Sequence, residues 1–358
     1  MRILVITNAY PAPERPSYGI YVARLVAALE RGGHEVALAS ASEQGGGWRT
    51  LVKYARLDRR ALRAARAFRP EVVWGHYLVP TGTIARRAAK AAGVPYALTA
   101  HGTDVANAER SPRIRTATAK AVAGACAVFA VSDDLGARLQ VVTSPLGERL
   151  HTVSAGVDMA AFADGDADVA ISALGWESDG PRVVSVATYI PRKNLLRLIE
   201  AFALARAAWG GGSLALVGDG ELQPELEARA RDLGIAGHVR FAVGATPAEV
   251  PRWLRACDVA CLVSTVEGFG LAPIEALSVG RPAVVSRTVP AGVAVTEGVT
   301  GAVCDAEDVA SIAAALERAA TLTPGAAARA AAEPYGVDRE AARAVEVLAA
   351  CVAARQAR

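Results

Sequence analysis

What most constrains this chain is an alternation of short apolar runs with helical stretches, played through once, interrupted, and then played through again. In the first half the β-rich runs lie at residues 3–7, 35–39, 72–74, 96–99 and 128–131. Between them, helical periodicity is clear over 20–30, closed by Gly32-Gly33, and over 51–68, closed by Pro70. Strand and helix in alternation require a parallel sheet covered on both faces. After Asp158 the pattern breaks into Asp164-Gly165-Asp166-Ala167-Asp168 and Ser178-Asp179-Gly180-Pro181, which reads as a polar, turn-rich linker. The alternation then restarts, with runs at 183–186, 214–217, 239–242, 259–263 and 283–286. A chain of 358 residues also exceeds what one hydrophobic core usually organises. The expected division is 1–160 for a first α/β domain, 161–181 for the linker, 182–335 for a second α/β domain and 336–358 for a closing, Ala-rich helix.

Several classes are excluded early. The apolar start at 3–6 is too short for a signal-peptide core or a membrane span, and no other run reaches spanning length. Three of the five cysteines, Cys126, Cys257 and Cys261, lie inside apolar segments, so reduced thiols of a cytoplasmic protein are expected rather than disulfides or a zinc site. Asp164, Asp166 and Asp168 invite a metal reading, but position 175, where a calcium loop would place its closing glutamate, is Gly175. No metal and no cofactor are expected. Residues 1–155 hold 21 Lys and Arg against 11 Asp and Glu, so the first half is the basic one. Over 49–69, Arg49, Lys53, Arg56, Arg60 and Arg63 recur at helical spacing opposite Leu51, Leu62 and Phe68. Such a face fits solvent first, and secondarily a weak contact with an anionic membrane surface at the inner face. Nucleic acid is not expected, because the basic residues are not interleaved with aromatics.

Chemistry concentrates in the second half. Glu267-Gly268-Phe269-Gly270-Leu271-Ala272-Pro273-Ile274-Glu275 follows a buried strand and leads into a helix, with Pro273 suited to the first helical position and Glu275 to the first turn. The glycines let the backbone approach a ligand, and amides at a helix start attract an anion such as diphosphate. Two carboxylates can each grip a vicinal diol, one on a sugar and one on a ribose. Singly, Glu275 would complement a helix dipole and Glu267 would cap a turn; together, in this context, they read as a ligand site. Upstream, Ala187-Thr188-Tyr189-Ile190-Pro191-Arg192-Lys193-Asn194 sets a lysine ahead of a helix, where it can meet phosphate charge. His101-Gly102-Thr103-Asp104 places an imidazole at the C-terminal edge of a strand, where open α/β sheets bind ligands. Gly19 precedes the first helix, where a glycine permits close approach to phosphate.

With these motifs the chain resembles, over nearly its whole length, the retaining glycosyltransferases of family 4. The pair Glu267 and Glu275, separated by seven residues, is the most specific element of the likeness. The resemblance implies an α/β GT-B fold, two Rossmann-like domains with parallel sheets facing across a central cleft. It implies a nucleotide-sugar donor as substrate and a hydroxyl acceptor on a glycan, lipid or small molecule. Glu267 then contacts the donor sugar, Glu275 the ribose, and the amides of Phe269, Gly270 and Leu271 the sugar hydroxyls or phosphate. Lys193 is the diphosphate cation, His101 lies near the transferred sugar and positions it, and Gly19 meets the diphosphate. Two departures stand out. Thr188 occupies the place of the family's arginine, which leaves Arg192 as the substitute cation. Val289-Pro290-Ala291-Gly292-Val293 stands where the family has paired glycines and a glutamate. Two other readings stay open: a non-catalytic nucleotide-sugar-binding partner of the same fold, and a GT-B epimerase or phosphorylase.

Overall fold

The computed structural model describes residues 1–41 and 47–357. It is α/β, with two six-stranded parallel sheets. The first holds β1 (Arg2–Thr7), β2 (Glu35–Ser40), β3 (Val72–His76), β4 (Tyr96–Ala100), β5 (Ala127–Ala130) and β6 (Leu150–Thr152) in the order β2-β1-β3-β4-β5-β6. The second holds β7 (Arg182–Val186), β8 (Ser213–Val217), β9 (Val239–Ala242), β10 (Val259–Leu262), β11 (Ala283–Ser286) and β12 (Gly301–Cys304) in the order β12-β11-β10-β7-β8-β9. β3, β4, β5, β8, β10 and β11 are buried at every position. That is why they read as continuous apolar runs rather than as alternating ones. The short β6 and β12 lie at sheet edges and carry too little apolar sequence to stand out.

Each unit has its own core. In the first, Ile3, Val5, Trp74 and Phe129 pack with Leu25 and Leu29 of the helix Ile20–Arg31. In the second, Leu198, Ile199 and Phe202 of the helix Leu195–Trp209 pack on Val183, Leu214 and Val259. The C-terminal helix Val337–Gln356 buries Val337, Ala341, Ala344 and Leu348 in the first core, a one-sided stripe at helical spacing. It therefore joins Met1–Gly156 in one compact unit, while Val157–Gly336 form the other. Arg358, the end of the expected closing helix, lies outside the described residues.

Residues 161–181 are not a free linker. Asp166 caps the helix Ala167–Leu174 by accepting from the backbone N–H of Asp168 and Val169, and Phe162, Ala170 and Trp176 are buried within the second unit. Asp164, though exposed, pairs with Arg329. The hydrophilic residues that resembled a linker are helix caps and ion-pair partners.

The helix Trp48–Phe68 buries Leu57, Ala61 and Ala65, not the face containing Leu51. Leu51 is 74% exposed and Trp48 70% exposed. Within the basic row, Lys53 donates to the Asn8 carbonyl and Arg60 to the Ser40 carbonyl. Among the described residues no helix is long and apolar enough to cross a membrane.

One expectation about sulfur is overturned. Cys126 and Cys351 form a disulfide, their Cα atoms 5.8 Å apart across a sequence separation of 225. The packing of the C-terminal helix on the first sheet makes the pair, and local sequence carries no sign of it. Cys257, Cys261 and Cys304 remain buried thiols, and burial raises the pKa of each. Titration of the denatured protein with a thiol reagent should therefore count three thiols before reduction and five after it. Five thiols in the unreduced protein would disprove the bridge.

Candidate active site

The strand order sets where each sheet can hold a ligand. In the second sheet the chain runs from β7 outward through β8 to β9, then returns to place β10 on the other side of β7. The loops leaving β7 and β10 thus diverge at a topological switch point, where open sheets of this kind bind ligands. Thr188, Arg192 and Lys193 lie on the first of these loops and Glu267 on the second.

These loops meet through charge. Glu267 is buried, accepts a hydrogen bond from Ser264 Oγ at 2.8 Å, and forms ion pairs with Lys193 and with Arg192 Nη1, the latter at 3.1 Å. Ser264 is itself held, since its carbonyl accepts from both Ser286 Oγ and Thr288 Oγ1. The backbone joins the same loops: Thr265 N–H donates to the Arg192 carbonyl at 2.9 Å. Asn194, left-handed at φ 59°, donates from Nδ2 to the carbonyls of Val263 and Ala306. Asparagine tolerates that backbone region better than most residues.

Gly270, at φ +89°, starts the helix Leu271–Ser278. A Cβ there would stand 2.8 Å from Val289 Cγ1 and 3.0 Å from Leu262 Cδ2, so this position requires glycine. The early start shifts the expected register. Pro273 is the third helical residue rather than the first, and Glu275, buried, falls in the second turn. Proline is accommodated because the first-turn N–H groups have no intrahelical partner. Phe269 is buried against Tyr335, its carbonyl accepting from Ala291 N–H. The Val289–Val293 segment therefore forms an apolar wall along the glycine loop, while Val293 itself is 77% exposed. Thr188 is exposed.

In the first sheet the reversal lies between β1 and β3. Gly19, at φ +70°, closes the loop after β1, and a Cβ on it would lie 2.3 Å from the Ala9 carbonyl. Its close approach is thus to the chain's own backbone. His101 follows β4, and its Nε2 lies 3.1 Å from Nδ1 of His76, the last residue of β3. The rings of Tyr21 and Tyr77 flank His101 at centroid distances of 4.8 and 4.7 Å. Asp104 clasps the loops, accepting from the backbone N–H of Leu78, His101, Gly102 and Val105. Burial holds the His76 imidazole far below the usual histidine range, at about 3. Burial and the neighbouring His76 lower His101 as well. A groove of about 1070 Å³, lined by Lys90, Arg149, Cys126 and Cys351 among others, lies at the opposite, N-terminal edge of this sheet.

Residues 19–161 match the family Glycosyltransferase Family 4, and residues 166–333 match Glycosyl transferases group 1. A D-inositol 3-phosphate glycosyltransferase of Frankia alni is 30% identical over 281 residues, covering 72% of this chain and 68% of the relative. The chain belongs to glycosyltransferase family 4. A GDP-mannose-dependent alpha-(1-6)-phosphatidylinositol monomannoside mannosyltransferase of Mycolicibacterium smegmatis is 31% identical over 254 residues, covering 69% of this chain and 66% of that protein. The fold agrees with solved glycosyltransferases. Sucrose-phosphate synthase of Thermosynechococcus elongatus superposes with a TM-score of 0.84 at 18% identity, covering 99% of this chain and all of the other. HepE of Anabaena, solved in complex with UDP, gives 0.77 at 20% identity, covering 98% and 100%.

Sequence reading of this family 4 chain passed over His76, Asn194 and Gly218. His76 is hidden because the apolar run in the sequence ends at Trp74, whereas β3 continues through Gly75 to the histidine. Gly218, after β8, is pressed against the Ala187 carbonyl, where a Cβ would lie 2.1 Å away; the only available signal was a glycine at a strand's end.

The two neutral histidines make stability depend on pH with a definite sign. Their folded pKa values lie below the unfolded one, so below about 6.5 the unfolded chain binds protons that the folded chain refuses, for His76 down to about 3. Stability should accordingly fall as pH drops below 6.5, with up to about 1.4 kcal/mol per pH unit from each histidine. Chemical denaturation between pH 7 and pH 4.5 measures this, and His76→Asn should flatten the slope. An unchanged slope in that variant would show that His76 is not the source.

Proposed function

We propose that this glycosyltransferase transfers a sugar from a nucleotide-sugar donor to a hydroxyl acceptor with retention of anomeric configuration and without a metal ion. The observation that carries the proposal is the union of Glu267 with Lys193 and Arg192 across the second sheet's switch point. A carboxylate that accepts hydroxyls and two cations that oppose phosphate are thereby held within one cluster. Among the relatives, one is described as GDP-mannose-dependent and HepE is described as binding UDP, which supports a nucleotide-sugar donor.

In this reading Glu267 is counter-ion to the cations at rest. When a diphosphate takes Lys193 and Arg192, the Glu267 carboxylate is freed to accept hydroxyls of the donor sugar. Arg192 thus supplies the second positive charge that Thr188 cannot. As the glycosidic bond breaks, charge grows on the leaving diphosphate, and the fixed cations stabilise it more than they stabilise the ground state. Their charge fills the role a divalent metal plays elsewhere. Glu275 binds the ribose diol, the amides of Phe269, Gly270 and Leu271 meet the sugar or phosphate, and His101 positions the sugar. The acceptor hydroxyl then attacks the oxocarbenium-like centre from the face the diphosphate leaves, and its proton passes to the departing diphosphate.

Glu267→Ala should abolish transfer while sparing nucleotide affinity, and Glu275→Ala should weaken the nucleotide itself. A thermal-shift panel of UDP, GDP, ADP and dTDP with their sugars identifies the donor, and product analysis of the same reactions establishes anomeric configuration. Normal transfer by both variants would overturn the assignment. Absence of transfer or hydrolysis with every donor would favour a non-catalytic binding partner. Activity that needs no acceptor would indicate an epimerase, and a requirement for free phosphate would indicate a phosphorylase.

Arg192→Ala should weaken nucleoside diphosphate binding by about tenfold or more, as loss of a charged hydrogen bond worth ~1.5–3 kcal/mol implies, without altering affinity for the nucleoside. Calorimetry separates the two. Equal affinity of wild type and variant for the diphosphate would remove Arg192 from the site.

A further inference from the structure

His76 and His101 share one hydrogen bond, and how they share it decides what His101 can offer a substrate. β3 and β4 are paired with His76 opposite Thr99, so His101 emerges beside the end of β3. The two rings stack at 28° with centroids 5.3 Å apart, and Nδ1 of His76 faces Nε2 of His101 at 3.1 Å. Both rings are neutral, so one nitrogen of the facing pair bears the proton and the other accepts it.

Two arrangements satisfy that rule. If His101 donates from Nε2, His76 must carry its own proton on Nε2. That atom is buried and has no hydrogen-bond partner among the described residues. His76 lines a small pocket with Leu25, Phe129, Val131, Val153 and Ser154, and no hydrogen bond reaches its Nε2 there: Thr99 Oγ1 accepts from Trp74 Nε1 and Ser154 Oγ from Gly156 N–H. An N–H donor stranded there forfeits the hydrogen bond it makes in water, and among buried backbone groups orphaned N–H donors are the rarer defect in folded proteins. If His76 donates from Nδ1 instead, its Nε2 holds no proton, and what is left unpaired is an acceptor lone pair rather than a donor.

We propose that His76 is a positioning residue that donates Nδ1–H to Nε2 of His101, fixing His101 as the Nδ1–H tautomer that meets a hydroxyl of the transferred sugar. This rests on the reading above that His101 positions the sugar. Because His76 occupies Nε2, only Nδ1 of His101 is left for a substrate, and in this tautomer Nδ1 donates. The rings of Tyr21 and Tyr77, joined through their hydroxyls, pack on His101, and Asp104 grips its backbone N–H, so that a flip of the ring would break the contact with His76. His101 is thereby a fixed hydrogen-bond donor and not a general base.

Long-range 15N–1H NMR on the full chain with 15N-labelled histidine reads the tautomers without any substrate, and five histidines are few enough to assign by substitution. The expected result is Nδ1–H on both His76 and His101; an Nε2–H signal from His101 overturns the proposal. Kinetics supply the second arm, using the donor identified by the nucleotide panel. His76→Leu should lower kcat by up to about 100-fold, the scale of a misplaced reacting group, with nucleotide affinity unchanged. His76→Asn, whose side-chain N–H can stand in for Nδ1–H, should restore most of the rate. Equal rates in both folded variants, whether high or low, would overturn the positioning role. Should the wild type transfer no sugar at all, the functional reading fails, while the NMR result still decides the tautomer.

Discussion

The site depends first on a topological constraint: a parallel sheet whose strand order reverses must send two successive loops apart above the C-terminal ends of its central strands. In the second sheet the reversal separates the loop after β7 from the loop after β10, and in the first it separates the loop after β1 from the loop after β3. Crossover helices cover the sheet faces but leave this point uncovered. Polar side chains can gather there and pair with one another at the edge of the apolar core. Arg192, Lys193 and Glu267 do so in the second unit, and the loop before Gly19 and the ring of His76 occupy the equivalent position in the first.

Loops at such a point need internal support, because they lack the ladder bonds of the strands. Here the support comes from backbone contacts too tight for side chains. Gly19 packs on Ala9, Gly218 on Ala187, and Gly270 between Val289 and Leu262. Glycines at these edges suggest room for a ligand, yet in each case the space a Cβ would fill is taken by the chain itself. What the structure shows of them is support: they fix the loops whose neighbouring residues present charge. Asn194 acts the same way, joining its loop to Val263 and Ala306 by side-chain hydrogen bonds.

The alternation of strand and helix was legible because buried parallel strands are short, continuous apolar runs, and the α/β class followed directly. The pair Glu267 and Glu275 was legible because carboxylates around a glycine loop after a buried strand break the apolar pattern. What escaped depends on three dimensions. The helix after Gly270 begins two residues early because a left-handed glycine, not Pro273, sets its start. Residues 161–181 carry polar caps that mimic a linker in composition while Phe162 and Trp176 anchor them. The Cys126–Cys351 bridge spans 225 residues and exists only because a terminal helix returns to the first core. His76 matters through a neighbour on an adjacent strand, a relation that local sequence does not encode.

The two units repeat one architecture with opposite electrostatics. Around Glu267 the second unit gathers a buried carboxylate and two cations, a cluster whose desolvation cost is offset only while the charges remain matched. In the resting cluster neither the buried carboxylate nor its two cations is left unpaired. Around His101 the first unit does the reverse: burial strips charge from both imidazoles and leaves a neutral hydrogen-bonded pair between tyrosine rings. A neutral pair of this kind can share a hydrogen bond with a hydroxyl but carries no charge to attract an anion. Division of labour between two copies of one fold therefore follows from which side chains each sheet edge buries.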